Sequence, residues 1–315
     1  MVARASRSSR TTRRIETAVR RAVAGKQLTL AISGGRDSMA LLHAVARAVP
    51  ETVTTVATYD HATGTAAVKA AELVASQATA LGFPVVIGRA AVPGSSEAQW
   101  RNARRAFLTE VAARTGSVVA TAHTRDDQVE TIFMRVLRDS GARGLAGLYA
   151  STEVVRPLLG CTRAEVAAYA KTVGAMWMED PTNASMRFFR NRVRRDLLPA
   201  IARVKPGFDE QLIGLARAAG SWRARVDEVV TPLASVAMTG GSVSVAVDAL
   251  SPYSRDELAS LWPAIAARVG LAMDWRGTER AAAFTNSSRT GARIQLSGGW
   301  EISRSREMFE LRRWR

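Results

Sequence analysis

The stretch "LAISGGRDSMALL", Leu30–Leu42, decides how the first half of the chain is read. An apolar run stops at Ser33, two glycines follow, and an apolar helical pattern resumes at Met39. A strand that ends in Ser-Gly-Gly and runs straight into a helix builds an anion site. The glycines let successive backbone N–H groups converge on one point, and the helix N-terminus adds partial positive charge. Ser33 and Ser38 supply hydroxyl donors. The spacing therefore predicts a phosphate cradle over Ser33, Gly34, Gly35, Arg36, Asp37 and Ser38. An ordinary capped Gly-Gly turn is the alternative for two glycines alone. The flanking strand and helix favour the cradle.

The cradle is not a Walker A loop, which places a lysine on the β- and γ-phosphates. Here Asp37 stands in that region. A carboxylate beside polyphosphate needs a shielding cation, and Mg²⁺ takes carboxylate plus phosphate oxygens. A cradle without lysine suits capture of pyrophosphate as a leaving group better than transfer of a γ-phosphoryl group.

Outward from this turn, strand and helix signals alternate. Strands are expected at Leu28–Ser33, Thr52–Tyr59, Pro84–Gly88 and Ser117–Ala122. Helices are expected at Ser38–Ala48, Thr65–Leu81, Glu97–Thr115 and Asp126–Leu137. This order implies an α/β fold, a doubly wound and mostly parallel sheet whose strand C-terminal ends share one ligand-binding edge. A glycine-rich segment follows at Asp139–Leu148, then a strand at Val154–Arg156, a helix at Arg163–Val173 and a loop at "EDPTN", Glu179–Asn183. Lys205-Pro206-Gly207 punctuates the chain, so two domains are expected, residues 1–206 and 207–315. The second reads as a smaller α+β domain. Its helices are expected at Phe208–Ala219, Trp222–Val230, Arg255–Val269 and Gly277–Ala283. Its strands are expected at Ser242–Val247, Ala292–Leu296, Glu301–Ser303 and Met308–Leu311.

The bulk properties narrow the function class. The chain has 315 residues, is 47% hydrophobic and carries a formal charge of +16, with 40 of its 44 basic residues arginine. It can bury a core, and it attracts polyanions. No apolar run is long enough for a transmembrane helix, so no membrane partner is expected. Its one cysteine, Cys161, excludes an internal disulfide framework and any Cys-only metal site, and fits a reducing cytoplasm. The N-terminus, "MVARASRSSRTTRRIETAVRRAVAGK", reads as a basic arm running into a helix near Ile15–Ala24. Its arginine- and serine-rich composition also admits a transit peptide or an RNA-touching arm.

Three further clusters carry chemistry. "TAHTRDDQVET", Thr121–Thr131, puts His123 at the end of a strand and Asp126, Asp127 and Glu130 on one face of the following helix. These acids suit Mg²⁺ or a substrate ammonium, and equally suit the positive end of a helix. "SSEAQWRNARRAFL", Ser95–Leu108, puts Arg101 and Arg104 on one helix face. "EDPTNASMRFFRNRVRRDLLP", Glu179–Pro199, holds five arginines between Arg187 and Arg195, and arginine forks bind phosphates.

"SGGRDS" resembles the SGGxDS loop of the N-type ATP pyrophosphatases, the PP-loop superfamily, whose members share an adenine nucleotide alpha hydrolase-like fold. With "TAHTRDDQVET", "SGARGLAGL", "RPLLGCTRAEV" and the "EDPTN" segment in matching order, the chain resembles the tRNA(Ile)-lysidine synthetase family over Leu28–Pro199. "IQLSGGWEISRSREMFELRR" adds a looser likeness near the end. There are departures. Asp60 and His61 match the stretch after the second strand, but its arginine is missing. Thr124 replaces a second histidine, and Arg105 replaces a tyrosine.

The resemblance implies a ligase using ATP and Mg²⁺. Such an enzyme adenylylates O2 of the wobble cytidine, position 34, of the isoleucine tRNA with anticodon CAU, and free L-lysine then displaces AMP. It implies Asp37 and Asp127 as Mg²⁺ ligands and Arg101 or Arg104 on the adenylyl phosphate. It further implies that Asp126 and Glu130 orient the lysine ammonium or take its proton, that His123 is among the catalytic residues, that Arg190, Arg192 and Arg194 clamp tRNA or adenylate, and that Arg187 and Asn191 lie on tRNA. The C-terminal domain is expected to bind tRNA, the cytoplasm is the expected compartment, and a homodimer is compatible. Competing readings are tRNA thiolation, which the single cysteine disfavours, an amide ligase, and a basic RNA-binding module without turnover.

Overall fold

In the computed structural model the described residues are 2–62, 64–90, 97–150, 154–179, 185–237 and 241–314, with the side chains of 2–9 and 97–98 left aside. The chain divides into two compact units. One comprises Met1–Met134 with Thr152–Ile213, the other Arg135–Ser151 with Gly214–Arg315.

The first unit is built on helix α1 (Val2–Val23), strand β1 (Leu28–Ala31), α2 (Arg36–Ala48), β2 (Val53–Asp60), α3 (Thr65–Ala80), β3 (Val85–Arg89), α4 (Glu97–Arg114), β4 (Val118–Ala120) and α5 (Arg125–Val136). The strands form a parallel sheet in the order β3-β2-β1-β4. The chain leaves β1 toward β2 on one side and reaches β4 on the other. The crevice beyond the strand ends between β1 and β4 is thus the switch point where ligands bind in such sheets. The sheet is covered on both faces, so its strands read as apolar runs rather than alternating ones. Leu28, Leu30, Met39, Leu41, Leu42 and Val56 are all buried in one cluster.

Helix α1 is longer than expected and begins at Val2. Ile15, Val19 and Val23 bury its inner stripe against α2 and α7 (Arg163–Thr172). The strand expected at Val154–Arg156 is reduced to one parallel bridge, Ala120 to Val155. Part of the "EDPTN" loop, residues 180–183, lies outside the described residues. Beyond it runs one continuous helical stretch: α8 (Phe189–Arg192), a π turn (Val193–Leu197) and α9 (Leu198–Val204).

The boundary expected at Lys205-Pro206-Gly207 lies just ahead of α10 (Phe208–Leu233), and the division into units falls inside that helix. Two helices were expected there, broken at Gly220. The helix runs through Gly220, which packs against Tyr149, where a Cβ would sit 3.3 Å from that residue's Cβ. In the second unit the sheet is antiparallel, in the order β5-β6-β9-β8-β7, from Ala234–Val236, Ser242–Ala246, Met308–Arg313, Trp300–Arg304 and Arg293–Leu296. Beside the short helices α6 (Ala142–Leu145) and α11 (Val247–Leu250), helices α12 (Arg255–Ala267) and α13 (Trp275–Ser287) bury Trp262, Ile265 and Phe284 in the same core as Phe309 and Ile302. Among the described residues, no helix is long and apolar enough to cross a membrane.

Candidate active site

The cradle forms where β1 ends and α2 begins. Gly34 takes φ +81°, a conformation that disfavours side chains, and a Cβ there would sit 3.0 Å from the Ala70 carbonyl oxygen. Its own carbonyl accepts the Met178 N–H at 2.9 Å, which ties the turn to the segment entering the basic helix. The Ser38 hydroxyl donates to the Gly35 carbonyl at 2.7 Å and accepts the Ser33 N–H at 3.2 Å, so the loop is closed across its mouth. The first-turn amides of α2 have no intrahelical partner and face the crevice.

An open cavity of about 650 Å³ lies over this turn. Ser33–Ser38 form its floor, and Tyr59, His61, Arg104, His123, Asp127 and Arg163 rise around it. Alanines of α3, among them Ala67 and Ala70, keep one wall low. On the far side of β2, Gly88 leaves room for aromatics. A Cβ there would come within 2.6 Å of the Phe107 ring and 2.8 Å of the Tyr59 ring. Tyr59 in turn meets the His61 ring edge-on at 5.0 Å. Asp60 is buried, with one carboxylate oxygen accepting the Ala62 N–H at 2.8 Å and the other 3.3 Å from Arg89.

At the end of β4 the chain turns into α5 through Thr124. Both the amide and the hydroxyl of Thr124 donate to one oxygen of Asp127, each at 2.8 Å. The family's missing second histidine is thus replaced by a residue that caps the helix and aims Asp127. Asp127 and Asp37 line the same cavity. Burial pushes the Asp37 carboxyl up against the pull of Arg36 and Arg163, and Asp127 pushes it further. Burial also pushes Asp127 up, but Arg163, the Thr124 donors and Arg190 hold it below the usual carboxylate range. Two half-buried carboxylates that repel each other beside a phosphate cradle fit a divalent cation. Among the described residues, no group of three or more His, Cys, Asp or Glu side chains is arranged to hold a metal. The fit is therefore to an ion held by two carboxylates plus substrate phosphates, which is how Mg²⁺ is usually bound.

The residue at the centre of the acids, Arg163, did not stand out in the sequence. Thr162 and Glu165 form a reciprocal capping box that starts α7 and fixes Arg163 as its first residue. The Arg163 amide donates to Asp126 at 2.7 Å. Its guanidinium lies 2.9 Å from Asp127, 3.1 Å from Glu130 and 3.8 Å from Asp37. The S/T-x-x-E pattern of "TRAE" is visible in the sequence, but nothing local says which acids its arginine will meet.

Glu130 is 1% exposed. It accepts from Arg163 at 3.1 Å, from Arg190 at 2.8 Å and from Arg194 at 2.7 and 3.0 Å. Burial would raise its carboxyl, yet Arg194, Arg163 and Arg190 hold it below the ordinary glutamate range. Arg190 and Arg194 are four apart, so they share a helix face and both reach the same carboxylate. These two of the arginines expected on tRNA are therefore turned inward. Asn191 is buried and donates to the Ser185 carbonyl at 2.8 Å. Arg187 and Arg192 stay exposed, Arg192 lying over the Phe189 ring at 5.5 Å. Arg101 is exposed on α4, one turn before Arg104.

His123 accepts from or donates to the Thr121 hydroxyl at 2.8 Å. Burial, against the pull of Asp127 and with help from Arg156, Arg190 and Arg104, brings its ring down to about 4. His123 is therefore neutral at physiological pH. A smaller cavity of about 260 Å³ lies on the other side of Glu130, lined by Asp126, Val129, Leu198, Phe208 and Asp209 among others.

A parallel sheet whose first strand ends in a Ser-Gly-Gly cradle, with an aspartate opening the next helix, defines a PP-loop nucleotide-binding protein. The PP-loop domain model matches residues 7–201. A curated tRNA(Ile)-lysidine synthase of Solibacter usitatus is 36% identical over 229 residues, 71% of this chain and 52% of that protein. One from Salinispora arenicola is 34% identical over 311 residues, 92% of this chain and 93% of that protein. The chain spans about half the length of the first curated relatives it matches, and nearly all of the Salinispora one. A solved U34-tRNA thiolase from Methanococcus maripaludis, with a [4Fe-4S] cluster, shares the fold at a TM-score of 0.56 and 14% identity, over 67% of this chain and 80% of that one. The chain belongs to the tRNA(Ile)-lysidine synthase family of PP-loop proteins.

Proposed function

We propose that the chain attaches L-lysine to C2 of the wobble cytidine of the CAU-anticodon isoleucine tRNA at the expense of ATP. The observation that carries this reading is the Ser33–Ser38 cradle facing Asp127 and His123 across one cavity, in a chain of this family. The order of events follows from the cradle. Backbone amides of Gly34–Ser38 hold the β- and γ-phosphates, which leaves the α-phosphorus open to attack by O2 of the cytosine. The bond from phosphorus to the bridging oxygen breaks, and pyrophosphate departs into the cradle. The lysine amine then attacks C2, AMP leaves, and the amine's proton passes to a nearby acceptor. Mg²⁺ held by Asp37 and Asp127 would neutralise charge on the α-phosphate and the departing diphosphate. Arg104, in the cavity wall, is placed to meet the adenylyl phosphate. Neutral His123 donates or accepts a hydrogen bond without adding charge.

The smaller cavity suits the lysine. Asp126, one of whose oxygens accepts the Arg163 amide, has its other oxygen for an ammonium group, Asp209 is paired with Arg125 at 2.9 Å, and Val129, Leu198 and Phe208 line an apolar path for the methylene chain. Glu130, committed to three arginines, holds those arginines in place and is a poor proton acceptor. Exposed Arg187 and Arg192, and the C-terminal unit, are assigned to tRNA.

The test is incubation with ATP, Mg²⁺, labelled lysine and the CAU isoleucine tRNA, scored for label in RNA. The expected result is incorporation that is absent with methionine tRNA and abolished in Asp37→Asn while tRNA binding persists. Incorporation by Asp37→Asn at a near-normal rate would overturn the role of the cradle.

A further inference from the structure

The exposed face of α1 is the charged surface that the catalytic reading leaves unused. With 3.6 residues per turn, Arg10, Arg13, Arg14, Arg20 and Arg21 fall within an arc of roughly 120°, opposite the buried Ile15, Val19 and Val23. Arg10, Arg13, Arg20 and Arg21 are exposed, and among the described residues none of them pairs with a carboxylate. The helix's own acid, Glu16, is turned aside to Arg47 at 2.9 Å. Like charges three and four residues apart work against a helix, and α1 has no acid in its first turn to offset them. The stripe is therefore electrostatically unfavourable for the helix by itself, and an external polyanion relieves it.

Position adds direction to the charge. Arg14 reaches α7, donating to the Gly160 carbonyl at 3.3 Å and pairing with Glu165 at 3.0 Å. Glu165 is the capping-box partner of Thr162, whose neighbour Arg163 gathers the catalytic acids. Through Arg14 the stripe thus touches Glu165, two residues from the one that organises the site. It runs along α1 for about 16 Å between Arg10 and Arg21, at 1.5 Å per residue.

We infer that the outer face of α1 binds the phosphodiester backbone of the substrate tRNA and guides it to the catalytic edge. This rests on the tRNA reading above and names a surface for it. Guanidinium forks spaced one helical turn apart recognise successive phosphates without reading sequence.

The experiment uses the full chain with Arg10, Arg13, Arg20 and Arg21 changed together to Glu, to Gln or to Lys. Binding of the CAU isoleucine tRNA is measured from 50 to 300 mM KCl, roughly the range over which phosphate contacts lose affinity steeply. Each contact contributes about 0.9 to the log–log salt slope on a duplex, so losing four contacts in the Glu and Gln variants should remove about 3.6 units of slope. They should also bind at least about tenfold more weakly at 150 mM KCl, with melting temperatures no lower than wild type. The Lys variant should keep a wild-type slope. Wild-type affinity and slope in the Glu and Gln variants would overturn the inference, as would a Lys variant as weak as the Glu one. A wild-type chain that binds no tRNA would instead bring down the functional reading beneath it.

Discussion

Glu130→Gln tests the arginine cage most directly. The substitution keeps the shape and removes one buried charge that accepts from Arg163, Arg190 and Arg194 over 2.7–3.1 Å. Removing one side of a buried ion pair costs ~3–5 kcal/mol, because the partner charges are left uncompensated. Here the three arginine side chains keep 19–31% of their surface in water and can partly rehydrate, so the lower end applies, ~3 kcal/mol. In a unit of about 200 residues each kcal/mol shifts the melting midpoint by ~2–4 °C, which gives a loss of ~6–12 °C. Calorimetry from pH 8 downward reads both the size and the origin of the effect. The Glu130 carboxyl is held below its ordinary value of 4.5, so the unfolded chain takes up that proton first. The stabilisation is complete above about pH 4.5 and disappears as the pH falls through the lower folded value. The gap between wild type and variant should therefore be constant near neutrality and close only in more acid solution. A variant melting within 2 °C of wild type at pH 7, a threshold of about 1 kcal/mol or less, would refute the cage as a stabilising element.

Two other perturbations follow. His123 is brought from 6.5 to about 4, so the unfolded chain binds its proton throughout that window, and stability, full above pH 6.5, falls as the pH drops toward 4. Wild type should lose ~2–3 kcal/mol more than His123→Gln between these limits; parallel melting curves would show that the ring is not held neutral. Gly34→Ala places a methyl 3.0 Å from the Ala70 carbonyl at φ +81°. It should cost ~1–3 kcal/mol and weaken ATP binding by at least about tenfold, read by calorimetric titration; wild-type affinity would mean that the loop does not hold the phosphates.

The sheet and the cradle were legible because they are local. Apolar runs, Ser-Gly-Gly and a helix pattern within thirteen residues of one another specify a strand, a turn and an anion site without reference to distant chain. The acids of α5 were legible for the same reason, since they follow a strand end at helical spacing. What they touch was not. Glu130 looks like a reactive carboxylate in the sequence, and only its burial against Arg190 and Arg194, sixty residues away, shows that it is neutralised. Arg163 was hidden because its role comes from the capping box that orients it and from three acids on other elements. The arginines of Arg187–Arg195 look alike in the sequence. Helical spacing puts Arg190 and Arg194 on one face and Arg192 on another, but only packing against Glu130 shows which face turns inward. Gly220 reads as a helix break, yet it marks close packing of α10 against Tyr149, a partner far away in the sequence.

The balance at the cage has a consequence for how the protein meets its ligands. Asp37, Asp126, Asp127 and Glu130 are matched by Arg36, Arg163, Arg190 and Arg194, so this cluster is close to electroneutral while the chain carries +16. The surplus must reside elsewhere, chiefly where water and mobile ions reach it. On the proposed function, long-distance capture of a polymer and short-distance handling of a small nucleotide therefore fall to separate populations of charge. Raising ionic strength dims the first across a Debye length of about 8 Å at physiological salt and leaves the second nearly intact.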